Sequence, residues 1–432
     1  MIEGPTGAAP AEGTAAGPAP AAGAPGAAVP GPRPLEGIRV LDMTNVLAGP
    51  YAAYQLALLG ADVIKVETPR GGDLARQLGA SAELNGRLLG ISFLAQNAQK
   101  RSLTVDLKTQ GGAEVLRRAV AESDVLLENF RPGVLERLGF GWDALRAINP
   151  RLVYAAISGF GQTGPLRAKP AYDQIIQGSS GMMSVTGTPD TAPLRAGYPI
   201  ADTLGGLAAA FAISSALLGR ERTGVGSVID VSMLETAATA MGWVVSNHLV
   251  AGTEPRPLGN DNGTAAPSGT FATGDGALNI AANKQEQFEL LCGVVGRPDL
   301  VADPRFAERE ARKTHRAALT AELEAALASR SALSWEEALS DAGVPAAAVL
   351  TVAEMLDSPQ VRDRELVHSL PFPGGVAGDE PLRVMGHGIR IDGVPGRPTV
   401  SPPLLGEHTD EVLAELGYDA DEIRALHEGG AV

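Results

Sequence analysis

Residues 37–67 constrain the fold more than any other stretch of this chain. GIRVLDMT reads as a buried strand, bounded by Gly37 and by Asn45. Gly49-Pro50 then opens a helix over YAAYQLALLG, with Pro50 suited to its first turn and Gly60 to its C-terminal cap. ADVIKVE is a second strand. Two strands joined by a helix within about thirty residues form a βαβ unit, so a parallel sheet in an α/β protein is expected.

The pattern continues. SLTVDLK predicts a strand, GGAEVLRRAVAES an amphipathic helix and DVLLENF another strand. RPGVLERLGFGWDALRAINP predicts two short helices, and RLVYAAISGFG a strand ending in a glycine loop. Ligands of open parallel sheets gather at the carboxyl ends of strands. Four such ends carry polar or glycine-rich residues: Thr44–Ala48, Glu67–Asp73, Glu128–Arg131 and Ser158–Gly164. The dinucleotide fingerprint GxGxxG is missing after the first strand, which disfavours a nicotinamide or flavin site. Beyond the turn-rich GNDNGTAA, short strands (SGTFAT, ALNIAAN) and helices predict a smaller second domain. Capping boxes are expected at Ser334–Glu337 and Asp419–Glu422, with a helix stop at Gly343.

Composition narrows the function. A net charge of −15 argues against a nucleic-acid partner and requires a local basic cluster for any polyanionic ligand. One cysteine, Cys292, and six scattered His leave no disulfide and predict no metal site; a reducing cytoplasm fits this usage. Residues 1–33 are dominated by Ala, Gly and Pro, which predicts a disordered tail without a catalytic role. That N-terminus lacks a basic segment followed by an apolar core, so no signal peptide is expected. The low-charge run Thr203–Leu218 is short for a membrane span and reads as a buried helix, so no membrane partner is expected.

Asp202 stands at the head of that run and is the only acidic residue between Asp190 and Glu221. Its residue type allows two roles. It could cap a helix beginning at Thr203, worth about 1 kcal/mol. It could also be a nucleophile, since a carboxylate can form an activated acyl group.

Several segments together resemble the class III CoA-transferases, the carnitine and formyl-CoA transferase group. They are LEGIRVLDMTNVLAGPYAAYQLALLGADVIKVETPRGGD, QKRSLTVDLK, VLLENFRPGVLERLGFG, PAYDQIIQGSSGMMSVTG, YPIADTLGG and PPLLGEHTDEVLAELGY. The match runs in order from about Leu35 to the C-terminus. The resemblance implies a Rossmann-like large domain built from both chain ends, over residues 34–235 and 355–432. It also implies a small α+β domain over 260–330, linkers over 236–259 and 331–354, and an interlocked homodimer.

The family's active-site aspartate falls on Asp202. The implied reaction moves coenzyme A from an acyl-CoA donor to a carboxylic acid, through an aspartyl mixed anhydride and an aspartyl-CoA thioester. CoA is then a substrate, and no permanently bound cofactor is implied. Backbone N–H groups near Gly205 and Gly206 are candidate oxyanion donors. By resemblance, Val46, Leu47, Ala48, Val105, Lys108, Asn129, Phe130, Arg137 and Tyr172 are the CoA-binding positions. Lys108 and Arg137 make physical sense as phosphate partners; Lys100, Arg101 and Arg131 can equally be ordinary solvated charges.

Related α-methylacyl-CoA racemases carry His where this chain has Tyr172, next to Asp173. Moving a proton between two faces needs two acid–base groups, and a phenol is a poor base near neutral pH. Transfer therefore outranks racemisation or epimerisation. Intramolecular CoA transfer and non-catalytic CoA binding are also compatible with this resemblance. Asp173 is either a structural acceptor or catalytic. Cys292 and His408 are expected to be structural. The family loop that usually holds His and Tyr reads GNDNGTAAPSGTF here, with Asn262 and Ser268 in their places. This departure predicts an acid other than formate or oxalate.

Overall fold

The computed structural model describes residues 33–375 and 380–432. The tail expected over residues 1–33 lies, apart from Arg33, outside the described residues. Six parallel strands form the main sheet: β1 (Arg39–Asp42), β2 (Asp62–Glu67), β3 (Lys100–Thr104), β4 (Val125–Glu128), β5 (Val153–Ser158) and β6 (Ser227–Ser232). Their order is β3-β2-β1-β4-β5-β6, so the sheet grows in opposite directions from β1. The crevice beyond the carboxyl ends of β1 and β4 is the topological switch point where ligands bind.

Alternation along the strands sends neighbouring side chains into two cores. Val40, Val63, Val125, Leu127 and Ile157 face helices α1 (Ala48–Leu58) and a long apolar helix over Ile200–Thr223. Leu41, Ile64, Leu103 and Leu126 face α2 (Gln110–Ala121) and the C-terminal Val412, Leu413 and Tyr418. Both ends of the chain thus share one core. A second short helix on the first face is α3 (Asp173–Ser179), and Ile200–Thr223 is α4. By length and composition α4 could cross a membrane. Here Ala209, Ala210, Ile213 and Leu217 pack on Ala52, Ala53 and Leu56 of α1.

Three expectations are corrected in register. The third strand ends at Thr104 rather than Lys108. Val105 N–H still reaches Glu67 O, but Asp106 N–H turns to Ala431 O, so Val105–Lys108 becomes a loop at the strand's carboxyl end. Helix α1 begins at Ala48, ahead of Pro50, while Gly60 takes the left-handed conformation just past its end. The cap of the helix Ala332–Asp341 is Ser331, whose hydroxyl accepts from Ser334 N–H; the expected Ser334–Glu337 box does not form. The Asp419–Glu422 box does form, and Gly343 ends the preceding helix in the left-handed conformation.

A smaller antiparallel sheet joins β7 (Ser268–Ala272), β8 (Ala277–Ala281) and β9 (Ala346–Ala348). Its core contains Phe271, Leu278, Phe288, Cys292, Trp335 and Leu339. The first half of the expected 331–354 linker is therefore a folded part of this unit. Trp335 and Leu339 sit one helical turn apart and point into the core, and Trp335 Nε1 donates to Leu327 O at 2.7 Å. The expected linker over 236–259 is mostly helical, in Met233–Ala240 and Gly242–Ala251.

Helix α4 meets the first turn of α1 with almost no clearance. A Cβ on Gly206 would stand 2.4 Å from Ala48 O. Alanine would gain about 1 kcal/mol of helix propensity. A backbone carbonyl at that range cannot rotate away, so an overpacking cost of about 1–3 kcal/mol wins. Gly205 meets nothing closer than the Met233 side chain, at 3.0 Å, which can shift. Thermal denaturation should show Gly206→Ala destabilised and Gly205→Ala close to wild type. Equal melting points would mean that the Ala48 contact does not set this packing.

Candidate active site

The cleft at the switch point holds about 360 Å³ and is lined by the ends of β1, β4 and β5 and by the head of α4. Asp202 lies in it as the third residue of α4, which begins at Ile200. It does not cap that helix. Asp173 does, from the first turn of α3. Its Oδ1 accepts from Ala201 N–H at 2.8 Å and from Asp202 N–H at 3.3 Å. Its Oδ2 accepts from Gln177 Nε2 at 2.6 Å. Buried Gln177 also accepts from Ala196 N–H at 2.8 Å, fastening the segment that enters α4. Asp173 is thereby a structural acceptor with its oxygens in use.

The Asp202 carboxylate accepts no hydrogen bond and forms no ion pair among the described residues. Burial, and then the negative charge of Asp173, pushes its pKa up to about 7. Gly205 and Gly206 lie inside the helix, where their N–H groups belong to the backbone ladder, so they are not oxyanion donors. Their use is close packing.

Opposite α4, a network of buried charges holds the β1–α1 loop. Lys100 Nζ donates to Asp42 Oδ2 at 2.8 Å, Asn97 Oδ1 at 2.9 Å and Pro50 O at 3.0 Å. Lys65 Nζ lies 3.1 Å from Asp73 Oδ2. Burial would raise the Asp42 pKa, but Lys100 and Lys65 hold it down to about 2. Burial lowers the Lys100 pKa to about 8, against the pull of Asp42. Asp73 Oδ1 then accepts from Val46 N–H at 2.9 Å, pinning Val46 at a φ of 68°. A left-handed valine is costly and persists only where its surroundings impose it.

Val46, Leu47, Ala48, Asn129, Phe130 and Tyr172 all line the Asp202 cleft. Asn129 crosses it: its Nδ2 donates to Asn45 O, and its Oδ1 accepts from Asn45 N–H, each at 2.8 Å. Val105 and Lys108 line an adjoining hollow of about 400 Å³ that shares Asn45 and Phe130 with the first. Arg137 lines neither; it is exposed on the helix Val134–Arg137, one residue before Leu138. Lys100 and Arg101 are not solvated charges. Lys100 is buried as described, and Arg101 pairs with Asp62 and Glu415 at 2.6 and 2.7 Å. Arg131 is exposed at the cleft.

Sequence reasoning missed Arg167, Lys169 and Met233 as lining residues. Arg70, Asp73 and Ser158 lie within strand ends that it singled out, though none was named as a site residue. The position of Gln177 beside the site had no signal in one chain. The altered loop with Asn262 and Ser268 lies on the small unit, outside the lining of the Asp202 cleft. Arg316 Nη2 ties it down through Asn262 O at 2.6 Å and Ala265 O at 2.7 Å. Cys292 is buried in the small core, and His408 Nδ1 accepts from Ser102 N–H at 3.3 Å.

The family model for CoA-transferase family III matches residues 35–409. The chain belongs to the family III CoA-transferases. A succinate–glutarate CoA-transferase of Agrobacterium fabrum is 37% identical over 391 residues, covering 89% of this chain and 96% of its own. An acetyl-CoA:oxalate CoA-transferase of Acetobacter aceti is 40% identical over 355 residues, covering 82% and 90%. The crystal structure of a CaiB/BaiF family protein from Brucella suis is similar with a TM-score of 0.78 at 37% identity, covering 89% and 99%.

For this CoA-transferase the Asp173–Asp202 pair gives a pH prediction. Were Asp202 the nucleophile, it would have to be deprotonated, and kcat/KM should then rise with pH through about 7 and level off above it. Asp173→Asn keeps an acceptor for Ala201 N–H but removes the charge that opposes ionisation. Its pH–rate profile should move toward acid. An unshifted profile would show that Asp173 does not act on Asp202 electrostatically.

Proposed function

We propose that Asp202 is the covalent carrier of a CoA transfer between an acyl-CoA and a small carboxylic acid. The observation that carries this reading is its unpaired carboxyl group, held at the cleft by a second carboxylate that caps its helix. An Asp202 oxygen attacks the thioester carbonyl carbon. The C–S bond breaks, CoA leaves as the thiolate, and a mixed anhydride forms. The thiolate attacks the Asp202 acyl carbon and expels the donor acid as its carboxylate, leaving an aspartyl-CoA thioester. The acceptor carboxylate attacks that carbon and expels the thiolate, giving a second anhydride. Thiolate attack on the acceptor's acyl carbon releases the new acyl-CoA and restores the Asp202 carboxylate.

In this reading Val46–Ala48, Asn129 and Phe130 hold CoA at the strand ends of a Rossmann-like sheet. Lys108, with Arg70 beside it, meets phosphate oxygens in the second hollow. Arg137 is a phosphate partner at its rim. Tyr172, 68% exposed, forms a wall of the cleft rather than a second acid–base group. The acceptor is a small organic acid. The altered loop at Asn262 and Ser268 selects it once two copies interlock. Such a homodimer would cover the apolar side of α4, where Leu207, Phe211 and Leu218 are exposed, together with Trp243 and Leu249.

Mass analysis of a panel of acyl-CoAs mixed with free acids should reveal new acyl-CoAs. The peptide containing Asp202 should carry a CoA adduct. Asp202→Asn should lose both, with the rate falling about a thousandfold or more. Robust transfer by the Asn variant, with deamidation excluded, would remove Asp202 from the mechanism. Exchange of an α-proton with solvent in the absence of an acceptor acid would instead support a racemase.

A further inference from the structure

Glu128 is the last residue of β4 and is 4% exposed. Val125 and Leu127 face one core of the sheet, and Leu126 faces the other. By the same alternation Glu128 stands on the second face, where an apolar residue is expected. A carboxylate is costly there, and it forms no ion pair among the described residues. Burial pushes its pKa up to about 7. Both of its oxygens are nevertheless in use. Oε1 accepts from Tyr154 Oη, on β5, at 2.9 Å, and Oε2 accepts from Phe130 N–H at 2.6 Å. The Tyr154 ring is held in turn by stacking on Trp142, with centroids 6.2 Å apart.

These bonds act on a wall of the site. Asn45 and Phe130 are the two residues that line both the Asp202 cleft and the adjoining hollow. Asn129 ties the backbone of Asn45 by two hydrogen bonds, and Glu128 ties the backbone of Phe130. Phe130 also packs on the second core, so apolar contact holds its ring while Glu128 holds its root. We propose that Glu128 is a positioning residue for CoA. By holding Phe130 it sets where the arm between the phosphates and the thioester crosses from the hollow into the cleft. The proposal rests on the reading that CoA spans both hollows. A misplacement of about 1 Å at the reacting carbon can cost about a hundredfold in rate, so a residue that never touches the reacting atoms still governs them.

Full-length variants test this at about pH 8, above the pKa of Glu128. Glu128→Leu keeps the bulk and removes the acceptor. Glu128→Gln keeps an oxygen for Phe130 N–H and turns its amide to Tyr154 Oη. By calorimetry Glu128→Leu should bind free CoA about tenfold more weakly. With an acyl-CoA and acid that the wild type turns over, its kcat should fall about 10–100-fold while KM for the acid holds. Its melting point should stay near that of the wild type, because the buried charge leaves together with its two bonds. Glu128→Gln should restore both CoA affinity and rate; a Gln variant no better than Leu would overturn the proposal. Phe130→Ala is the control for the CoA site and should weaken CoA at least as much. Wild-type CoA affinity in Glu128→Leu beside weakened binding in Phe130→Ala would overturn the role of Glu128 alone. Unchanged affinity in both would overturn the placement of CoA, and this inference with it. A Leu variant whose melting point falls while KM for the acid rises would show a packing role and overturn the proposal too.

Discussion

Asp173 accepts the N–H groups of Ala201 and Asp202, and the geometry of the site follows from those two hydrogen bonds. The first N–H groups of a helix have no partner of their own, and a side chain normally supplies one from the residue just before the helix. Here that residue is Pro199, which has no side-chain acceptor. The cap comes from α3 instead, so the same contact satisfies the helix and docks α3 onto it. It also places two carboxyl groups close together. Asp173 has its oxygens occupied by the N–H groups of Ala201, Asp202 and the Gln177 amide. Asp202 lacks such partners, and its proton affinity rises.

The facing wall is built by a different device. Asp42, Lys65, Asp73 and Lys100 are buried almost completely. Such networks add little net stability, because desolvation offsets most of the attraction. Removing one partner is another matter, and costs about 3–5 kcal/mol. The network thus contributes a fixed shape more than it contributes stability. Its last link is the bond from Val46 N–H to Asp73, which keeps the loop in a conformation valine disfavours. Two rigid walls, one fixed by a borrowed cap and one by buried charge, leave the cleft little freedom to collapse around Asp202.

The parallel strands were legible because their periodicity and glycine boundaries are local. Asp202 was legible as a rare carboxylate ahead of an apolar run, and the family resemblance raised it above a cap. Its actual place in the third position of the helix was not legible. The true cap of Ala201 N–H lies 28 residues earlier, and no local pattern ties Asp173 to it. The same holds for Lys100: in the sequence it is a charge beside Arg101, and only strand pairing shows that it is buried under the β1–α1 loop. Ser334 looked like a cap because Glu337 follows it. Ser331 lies one turn earlier and took the role, since Trp335 and Leu339 must both reach the small core.

In the proposed reading, substrate choice and chemistry sit on different units of one chain. The loop with Asn262 and Ser268 is clamped by Arg316, and its backbone is further bonded by Arg309 and Arg312. Three arginines on one surface loop mark it as a rigid template rather than a mobile flap. Yet it does not line the cleft that holds Asp202. A rigid loop selects an acid only if it meets the reacting carboxyl, so it must be brought there by something other than its own motion. In the proposed reading, a second copy seated against the exposed apolar side of α4 would supply that movement by assembly instead of by folding. On this view dimerisation completes the acid pocket, and the residues that choose the acid can vary without disturbing those that carry it.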